Sequence, residues 1–280
     1  MSIRIMVDST SDVTEDVIIE NNLKMVPLTV NFENESYLDK VELSMPEFFK
    51  KLETAETLPT TSQVSPGTFV DVFDEILSEG DQVLGIFLAS EFSGTYDSAQ
   101  IAKNMIGSSN IRIIDSKSVC LGAFASILKA IELIKQGIDI NEIVDELEKS
   151  KKNIVAVAGL DTLKYLEKGG RLSKGQSIVG SILNIKPIIE IRDGKLSVID
   201  KIRGRNKMVK WFDQWIEKNC FDLSDKTVLL FHGQNYVQLK ELRESIEKKY
   251  NIKNIIEQEV GCVIGTHTGP NALGIGFLNE

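Results

Sequence analysis

The chain has 280 residues, of which 42% are hydrophobic and 26% are charged. This length suggests about two domains, and the composition is typical of a globular protein rather than a disordered one. The formal net charge is −9, so the chain as a whole lacks the basic surface that nucleic acid or an anionic membrane requires. Because no apolar run approaches about 18 residues, we expect no integral membrane association.

The few cysteines and histidines limit the possible chemistry. Cys120, Cys220 and Cys262 lie too far apart for a zinc knuckle or a redox pair, and a sparse, odd set favours a reducing compartment. The first residues show no long apolar signal segment, so we expect a cytoplasmic protein. With His232 and His267 as the two histidines, no metal site is expected.

Strands and helices alternate along the first half of the chain. Strands are predicted at Ile3 to Val7, Met25 to Val30, Val83 to Ala89 and Ile111 to Ile114. Helices are predicted at Val13 to Asn22, from Ser44 with its capping box, at Phe69 to Ser78, at Thr95 to Met105, along the Ile127 to Ile138 stripe and at Asn141 to Ser150. The composition of residues 59–67 predicts a loop. This alternation predicts a mainly parallel sheet with helices on both faces, in an α/β domain spanning 1–157.

The pattern changes after about residue 155. Asp193-Gly194 lies between apolar, partly alternating arms and predicts an antiparallel hairpin. The other predicted elements are strands at Ile154 to Ala158, Val228 to Phe231 and Ile255-Ile256, and helices at Met208 to Asn219 and Val237 to Tyr250. We therefore expect a second α/β domain spanning 158–280.

Hydroxyl-bearing residues follow three of the predicted parallel strands. They are Asp8-Ser9-Thr10, Ser90 to Thr95 and Asp115-Ser116. Ligands of open α/β sheets bind at the edge where such strands end, and the loop with Thr61 and Ser62 can reach the same edge. Ser93-Gly94 leads into a helix whose first N–H groups suit a carboxylate or phosphate, although Ser93 as a simple helix cap explains the same pattern.

Three further residues are candidates. Arg171 follows a glycine pair and can bind an oxyanion, whereas a charged helix end capped by Gly169 is an equal alternative. His267 lies in a C-terminal segment, residues 265–276, which combines loop residues with apolar ones and which we expect to pack near the ligand edge. A buried structural histidine is the alternative there. Arg203 belongs to a basic patch, either a solvated face or a docking surface.

An enzymatic interpretation stays open. Ser93 lacks the first glycine of a G-x-S-x-G elbow, and no nucleotide-binding glycine motif follows a predicted strand. Ser93 and His267 with Asp8 or Asp115 would nevertheless contain the residue types of a catalytic triad. A serine-dependent hydrolase or phosphatase acting on acyl or phosphorylated substrates is therefore the alternative function.

Five short motifs occur one after another over about 270 residues of the chain. They are Asp8-Ser9-Thr10-Ser11-Asp12, Thr60-Thr61-Ser62-Gln63, Ser93-Gly94-Thr95-Tyr96, Leu166-Glu167-Lys168-Gly169-Gly170-Arg171 and His267-Thr268-Gly269-Pro270-Asn271-Ala272-Leu273-Gly274. In this combination the chain resembles the DegV family of bacterial fatty-acid-binding proteins. The resemblance implies two α/β domains with one long-chain fatty acid between them, an apolar tunnel for its acyl chain, and neither catalysis nor a cofactor.

The resemblance also implies roles for single residues. The carboxylate would contact Thr61 and Ser93, with Ser62, Gly94 and His267 as near neighbours and Arg171 in support. Some members present the acid to an ATP-dependent fatty acid kinase, and Arg203 would then be a candidate contact. The family loop often carries proline where this chain has Val64, a departure that concerns the rigidity of the loop more than its hydroxyl groups.

Overall fold

The computed structural model describes residues 2–172, 184–219 and 221–280. The strands are β1 (Ile3–Asp8), β2 (Lys24–Val26), β3 (Thr29–Phe32), β4 (Glu35–Leu38), β5 (Thr60–Ser62), β6 (Gln82–Phe87), β7 (Ile111–Asp115), β8 (Ile154–Gly159), β9 (Ile185–Arg192), β10 (Lys195–Arg203), β11 (Thr227–His232), β12 (Asn254–Glu259) and β13 (Leu273–Leu278). The helices are α1 (Glu15–Glu20), α2 (Met45–Thr54), α3 (Pro66–Ser78), α4 (Thr95–Ile106), α5 (Leu121–Lys135), α6 (Ile140–Ser150), α7 (Lys164–Lys168), α8 (Met208–Lys218), α9 (Tyr236–Lys249) and α10 (Cys262–Thr268).

The first sheet is parallel throughout, with strand order β2-β1-β6-β7. Its central strands are almost continuously apolar and buried, as expected for strands covered on both faces. Helix α3 packs against β6, α4 against β7, and α5 against β1 and β6. The predicted α/β architecture of this part of the chain is therefore confirmed.

The second sheet is mixed, with strand order β10-β9-β8-β13-β11-β12. The predicted hairpin is confirmed: β9 and β10 pair antiparallel, and Asp193 and Gly194 adopt φ values of 50° and 73°, as a two-residue turn of type I′ requires. Strand β8 is the first of this sheet along the chain and begins at Ile154. A division into two domains at residue 157 stays a prediction.

Helix α5 lies between the two larger sheets. It is buried along most of its length and packs against β1 and β6 of the first sheet and against β8, β11 and β13 of the second. Helices α8 and α9 form a second apolar core with the other side of the mixed sheet, where Phe212 and Leu242 cluster with Val157 and Leu230. Successive residues of β8 thus pack into two different cores, because successive side chains along a strand point to opposite faces of the sheet.

A third, smaller sheet has the antiparallel order β4-β3-β5. The prediction of a loop over 59–67 is wrong at both ends, since Thr60–Ser62 forms β5 and pairs with β3, and Pro66 and Gly67 begin α3. Threonine, serine and proline are typical of loops, but pairing with a strand that is distant in sequence overrides that local preference. The pairing places Thr61 opposite Val30, on a sheet against which α10 packs.

Candidate functional site

A cavity lies between the carboxyl edge of the parallel sheet, the β9–β10 hairpin and α10. Its polar lining consists of Thr10, Thr61, Ser62, Gln63, Ser93, Gly94, Arg171, His267 and Thr268. Its apolar lining consists of Leu28, Leu88, Phe92, Val119, Leu166, Ile189, Ile191, Leu196, Val263 and Ile264. The six residues predicted to surround or support a bound carboxylate therefore line one cavity. Arg203 is outside this lining and is exposed at the end of β10.

The hydroxyl of Thr61 and the imidazole of His267 meet at this cavity. The distance between Thr61 Oγ1 and His267 Nε2 is 3.0 Å. Strand β5 holds Thr61 through its pairing with β3, and α10 carries His267 near its C-terminal end. The contact thus joins two segments that lie 206 residues apart in sequence.

His267 is neutral at pH 7. Burial lowers the pKa of its imidazole to about 4, and the nearby positive charge of Arg171 acts in the same direction. Gly169 lets α7 end close to this ring, because a side chain there would lie 2.4 Å from His267 Nδ1. Among the described residues His267 Nδ1 has no hydrogen-bond partner, which favours the tautomer with its proton on Nε2. Nε2 then donates to Thr61, and the Thr61 hydroxyl keeps its own proton for a ligand.

Ser93 and Gly94 form the start of α4. Gly94 is the N-cap residue, and Ser93 Oγ accepts a hydrogen bond of 3.3 Å from the backbone N–H of Thr95. The side chain of Gln63 lies against Gly94, where an added Cβ would be 2.1 Å from its Oε1 atom. Gln63 in turn donates to Ser98 Oγ at 2.7 Å. Ser93 therefore precedes the N-cap residue rather than being it. Its side chain both accepts from the first turn of α4 and lines the cavity.

Arg171 turns inward rather than into solvent. Its Nε donates to the backbone carbonyl of Phe92 at 3.1 Å, and its guanidinium also donates to the carbonyl of Gly169 at 2.5 Å. Partial burial lowers the pKa of Arg171, but a guanidinium stays protonated at neutral pH. Arg171 thus supplies a positive charge beside neutral His267.

The apolar part of the cavity continues into the mixed sheet. A second, smaller cavity shares the lining residues Val119, Ile189, Ile191, Ile264 and Thr268 and extends to Ala156, Ala158 and Phe231. The first cavity has a volume of about 160 Å³ and the second a volume of about 50 Å³. Both volumes exceed the roughly 10–15 Å³ that a single water requires.

The catalytic triad that the sequence allows is not assembled in the described part of the chain. His267 Nε2 lies on Thr61 rather than on Ser93. Asp8 is fully buried, and its carboxylate accepts from two backbone N–H groups and a hydroxyl. Asp115 accepts from Ser90 and pairs with Lys117 at 2.9 Å. Neither acid is free to orient the histidine.

Residues 2–172, 184–219 and 221–280 contain no cluster of three His, Cys, Asp or Glu side chains able to hold a metal ion. Within the same ranges, no helix has both the length and the apolar character needed to cross a membrane.

The profile of the DegV family, a family described as uncharacterised, matches residues 2–280. This chain belongs to the DegV family. A DegV domain-containing protein of Caldanaerobacter subterraneus is 40% identical over 275 residues, which is 98% of each chain. Another, from Clostridium acetobutylicum, is 36% identical over 278 residues, or 99% of each chain. The family resemblance seen in the sequence is therefore confirmed.

Solved DegV structures share this fold over the whole chain. A DegV lipid-binding protein from Thermotoga maritima superposes with a TM-score of 0.90 at 29% identity, covering 99% of this chain and 98% of that one. DegV from Bacillus subtilis, described as a fatty acid binding protein, gives a TM-score of 0.88 at 32% identity with full coverage of both chains. These DegV relatives bind lipid or fatty acid.

Most of the apolar lining of the DegV cavity is not predictable from the sequence. Ile189, Ile191 and Leu196 come from the two arms of the hairpin. Their alternation along the arms was visible, but it does not show which face meets the ligand edge. That face depends on how the hairpin tip packs, with Gly194 N–H donating to the Lys117 carbonyl at 2.8 Å.

The low pKa of His267 predicts a pH dependence of stability. Its imidazole takes up a proton near pH 6.5 when unfolded and only near about 4 when folded, so the unfolded chain binds more protons between these values. The wild type therefore loses stability as pH falls through this window, by at most about 3 kcal/mol. In His267→Gln we expect this loss of stability to be absent. Urea unfolding of both proteins at pH 7 and pH 4.5 measures the free energies of unfolding that are compared.

Two buried carboxyl groups change the stability of the fold with pH in the direction opposite to that of His267. Burial raises the pKa values of Asp8 and Asp39 to about 6, so both stabilise the fold as pH falls from about 6 to 4. Both groups are present in wild type and variant, and their effect cancels in the difference. Equal pH dependence in the two proteins would contradict the assigned environment of His267.

Proposed function

We propose that this DegV protein binds one long-chain fatty acid, with the carboxylate at the polar end of the cavity and the acyl chain along its apolar lining. One observation carries the proposal: Thr61, Ser93, Gly94, Arg171 and His267 border the same cavity as ten apolar side chains. The Bacillus subtilis relative, a fatty acid binding protein, supports the same ligand class.

The acyl chain accounts for most of the affinity in this proposal. Each buried CH₂ group contributes about 0.8 kcal/mol. The residues Ile189, Ile191 and Ile264 line both cavities, so the two apolar spaces are neighbours. A long, unbranched chain suits this shape better than a compact ligand does.

The carboxylate needs hydrogen-bond donors, because a buried carboxylate without them takes up a proton instead. The hydroxyls of Thr61 and Ser93 are two donors, and the N-terminal N–H groups of α4 at Gly94 are others. Arg171 supplies the positive charge that keeps the ligand ionised. His267 acts through Thr61, whose hydroxyl it orients toward the ligand.

We propose a carrier without catalysis or cofactor, acting in the cytoplasm as the sparse cysteines of the sequence suggest. Turnover at Ser93 would need a base and an orienting acid. His267 is hydrogen-bonded to Thr61, and Asp8 and Asp115 are engaged elsewhere. No observation in the described residues favours the hydrolase or phosphatase alternative.

The double variant Thr61→Ala with Ser93→Ala tests the site. Each hydroxyl donates to a charged ligand, and losing such a hydrogen bond costs about 1.5–3 kcal/mol. We therefore expect fatty acid affinity, measured by displacement of a fluorescent fatty acid, to fall by about 100-fold or more.

The matched control is Thr54→Ala with Ser78→Ala, which removes two exposed hydroxyls outside the cavity. The control should bind as the wild type does, and both doubles should keep the wild-type circular dichroism spectrum. Wild-type affinity in the Thr61 and Ser93 variant would refute the assignment of the carboxylate site.

We also propose that the bound acid is presented to an ATP-dependent fatty acid kinase through Arg203. The exposed guanidinium of Arg203 ends β10. The neighbouring Arg205 is instead paired with Asp161, which leaves Arg203 as the more available charge for a partner.

Arg203→Ala is expected to leave fatty acid affinity unchanged and to reduce phosphorylation of the bound acid by a purified kinase subunit at least several-fold, as loss of one interface charge does. Acyl phosphate trapped as the hydroxamate gives the rate. Lys195→Ala is the control, since it removes another exposed charge about 27 Å away on the same strand. Equal phosphorylation of both variants would exclude Arg203 as the contact.

A further inference from the structure

Two buried carboxylates from the first part of the chain hold the N-terminus of α10. Asp12 Oδ1 accepts from the backbone N–H of Gly261 at 2.7 Å, and Asp39 Oδ1 accepts from that of Cys262 at 2.7 Å. Both aspartates have no exposed surface. The Lys40 ammonium lies 2.9 Å from Asp12 Oδ1. The start of this helix is thus tied to charged groups rather than to a cap of its own.

The backbone around this anchor is unusual. Asp12 and Lys40 adopt φ values of 52° and 62°, a region that residues other than glycine disfavour. Gly261 fits closely between the carboxylates, since an added Cβ would lie 2.9 Å from both Asp39 oxygens and 3.0 Å from Asp12 Oδ1. Strained backbone of this kind persists only where the surrounding structure demands it, often at functional sites.

Helix α10 has only seven residues, and a single Ser, Thr, Asp or Asn side chain is the usual cap of a helix N-terminus. Burying two carboxylates is far more costly than burying such a cap. What distinguishes α10 is its position, because Val263, Ile264, His267 and Thr268 of this helix all line the cavity.

The anchor and the ligand contact share one small sheet. Asp39 directly follows β4, Thr61 lies on β5, and both strands pair with β3. Asp39 therefore fixes the start of α10 relative to the sheet that carries Thr61. His267, near the other end of the helix, lies five positions after Cys262, or about 7.5 Å along the helix axis.

We infer that Asp39, with the Asp12–Lys40 ion pair beside it, is a positioning residue for the carboxylate site: it places α10 so that His267 meets Thr61. Its effect on affinity rests on the proposed fatty acid binding. Its effect on the environment of His267 does not, since that environment exists without a ligand.

The test compares Asp39→Ala with the conservative variant Asp39→Asn. In unliganded Asp39→Ala, the pKa of His267 followed by NMR rises from about 4 toward 6.5, because a displaced α10 exposes the imidazole to water. Affinity for a fluorescent fatty acid falls about tenfold, as loss of one hydrogen bond to a charged ligand implies. Asp39→Asn keeps an acceptor oxygen for the N–H of Cys262. We therefore expect this variant to retain both the low pKa of His267 and most of the affinity for the fatty acid.

The control is Ile143→Ala. Ile143 is fully buried and lies on α6, a helix that packs against α5 and β7. This substitution destabilises the fold but leaves the pKa of His267 and the affinity unchanged. A folded Asp39→Ala protein with both properties at wild-type values would overturn the inference.

If Asp39→Ala does not fold, Gly261→Ala takes its place, since the added methyl group displaces the start of α10 from both carboxylates. The same rise in the pKa of His267 is expected, and no change overturns the inference. A wild-type protein that binds no fatty acid, with the pKa rise still present in the variant, would refute the proposed function and leave the positioning role intact.

Discussion

The polar end of the cavity depends on the hydrogen bond between the Thr61 hydroxyl and the His267 imidazole, which lie 206 residues apart in sequence. Thr61 belongs to a small antiparallel sheet, and His267 belongs to a helix that directly precedes the last strand of the mixed sheet. No single sheet contains the site. It exists only where these elements meet at the carboxyl edge of the parallel sheet, and packing of α5 between the two larger sheets keeps them together.

The charge balance at this meeting point follows from burial. Because the pKa of His267 is lowered to about 4, Arg171 is the cationic side chain among the described lining residues. One positive charge and several neutral donors match a ligand with one negative charge. A charged His267 would bind a carboxylate more tightly, but it would repel Arg171 and lose hydration on burial. A neutral imidazole that orients Thr61 avoids both penalties.

Local patterns in the sequence were sufficient for β1, β6 and β7 of the parallel sheet and for the cavity residues that follow them, such as Ser93, because strand, loop and helix succeed one another over short distances. The strand predicted at Met25 to Val30 instead divides into β2 of the parallel sheet and β3 of the small antiparallel sheet. Strand β5 was not predictable in this way, since Thr60–Ser62 is a strand only through pairing with β3. The Gly, Thr and Pro content of the C-terminal segment, residues 265–276, is typical of a loop. In the folded chain this segment is buried and contributes to α10 and to the inner strand β13. The hydrogen bond between Asp39 and the start of α10 could not be predicted either, because its partner Cys262 is 223 residues away.

The most direct test of fatty acid binding is native mass spectrometry of the freshly purified protein, followed by solvent extraction and identification of any lipid. We expect one fatty acid per chain, with an acyl chain long enough to run from the Thr61 end of the cavity toward Phe231. Protein that is purified empty, and that stays empty after incubation with long-chain fatty acids, would contradict this expectation.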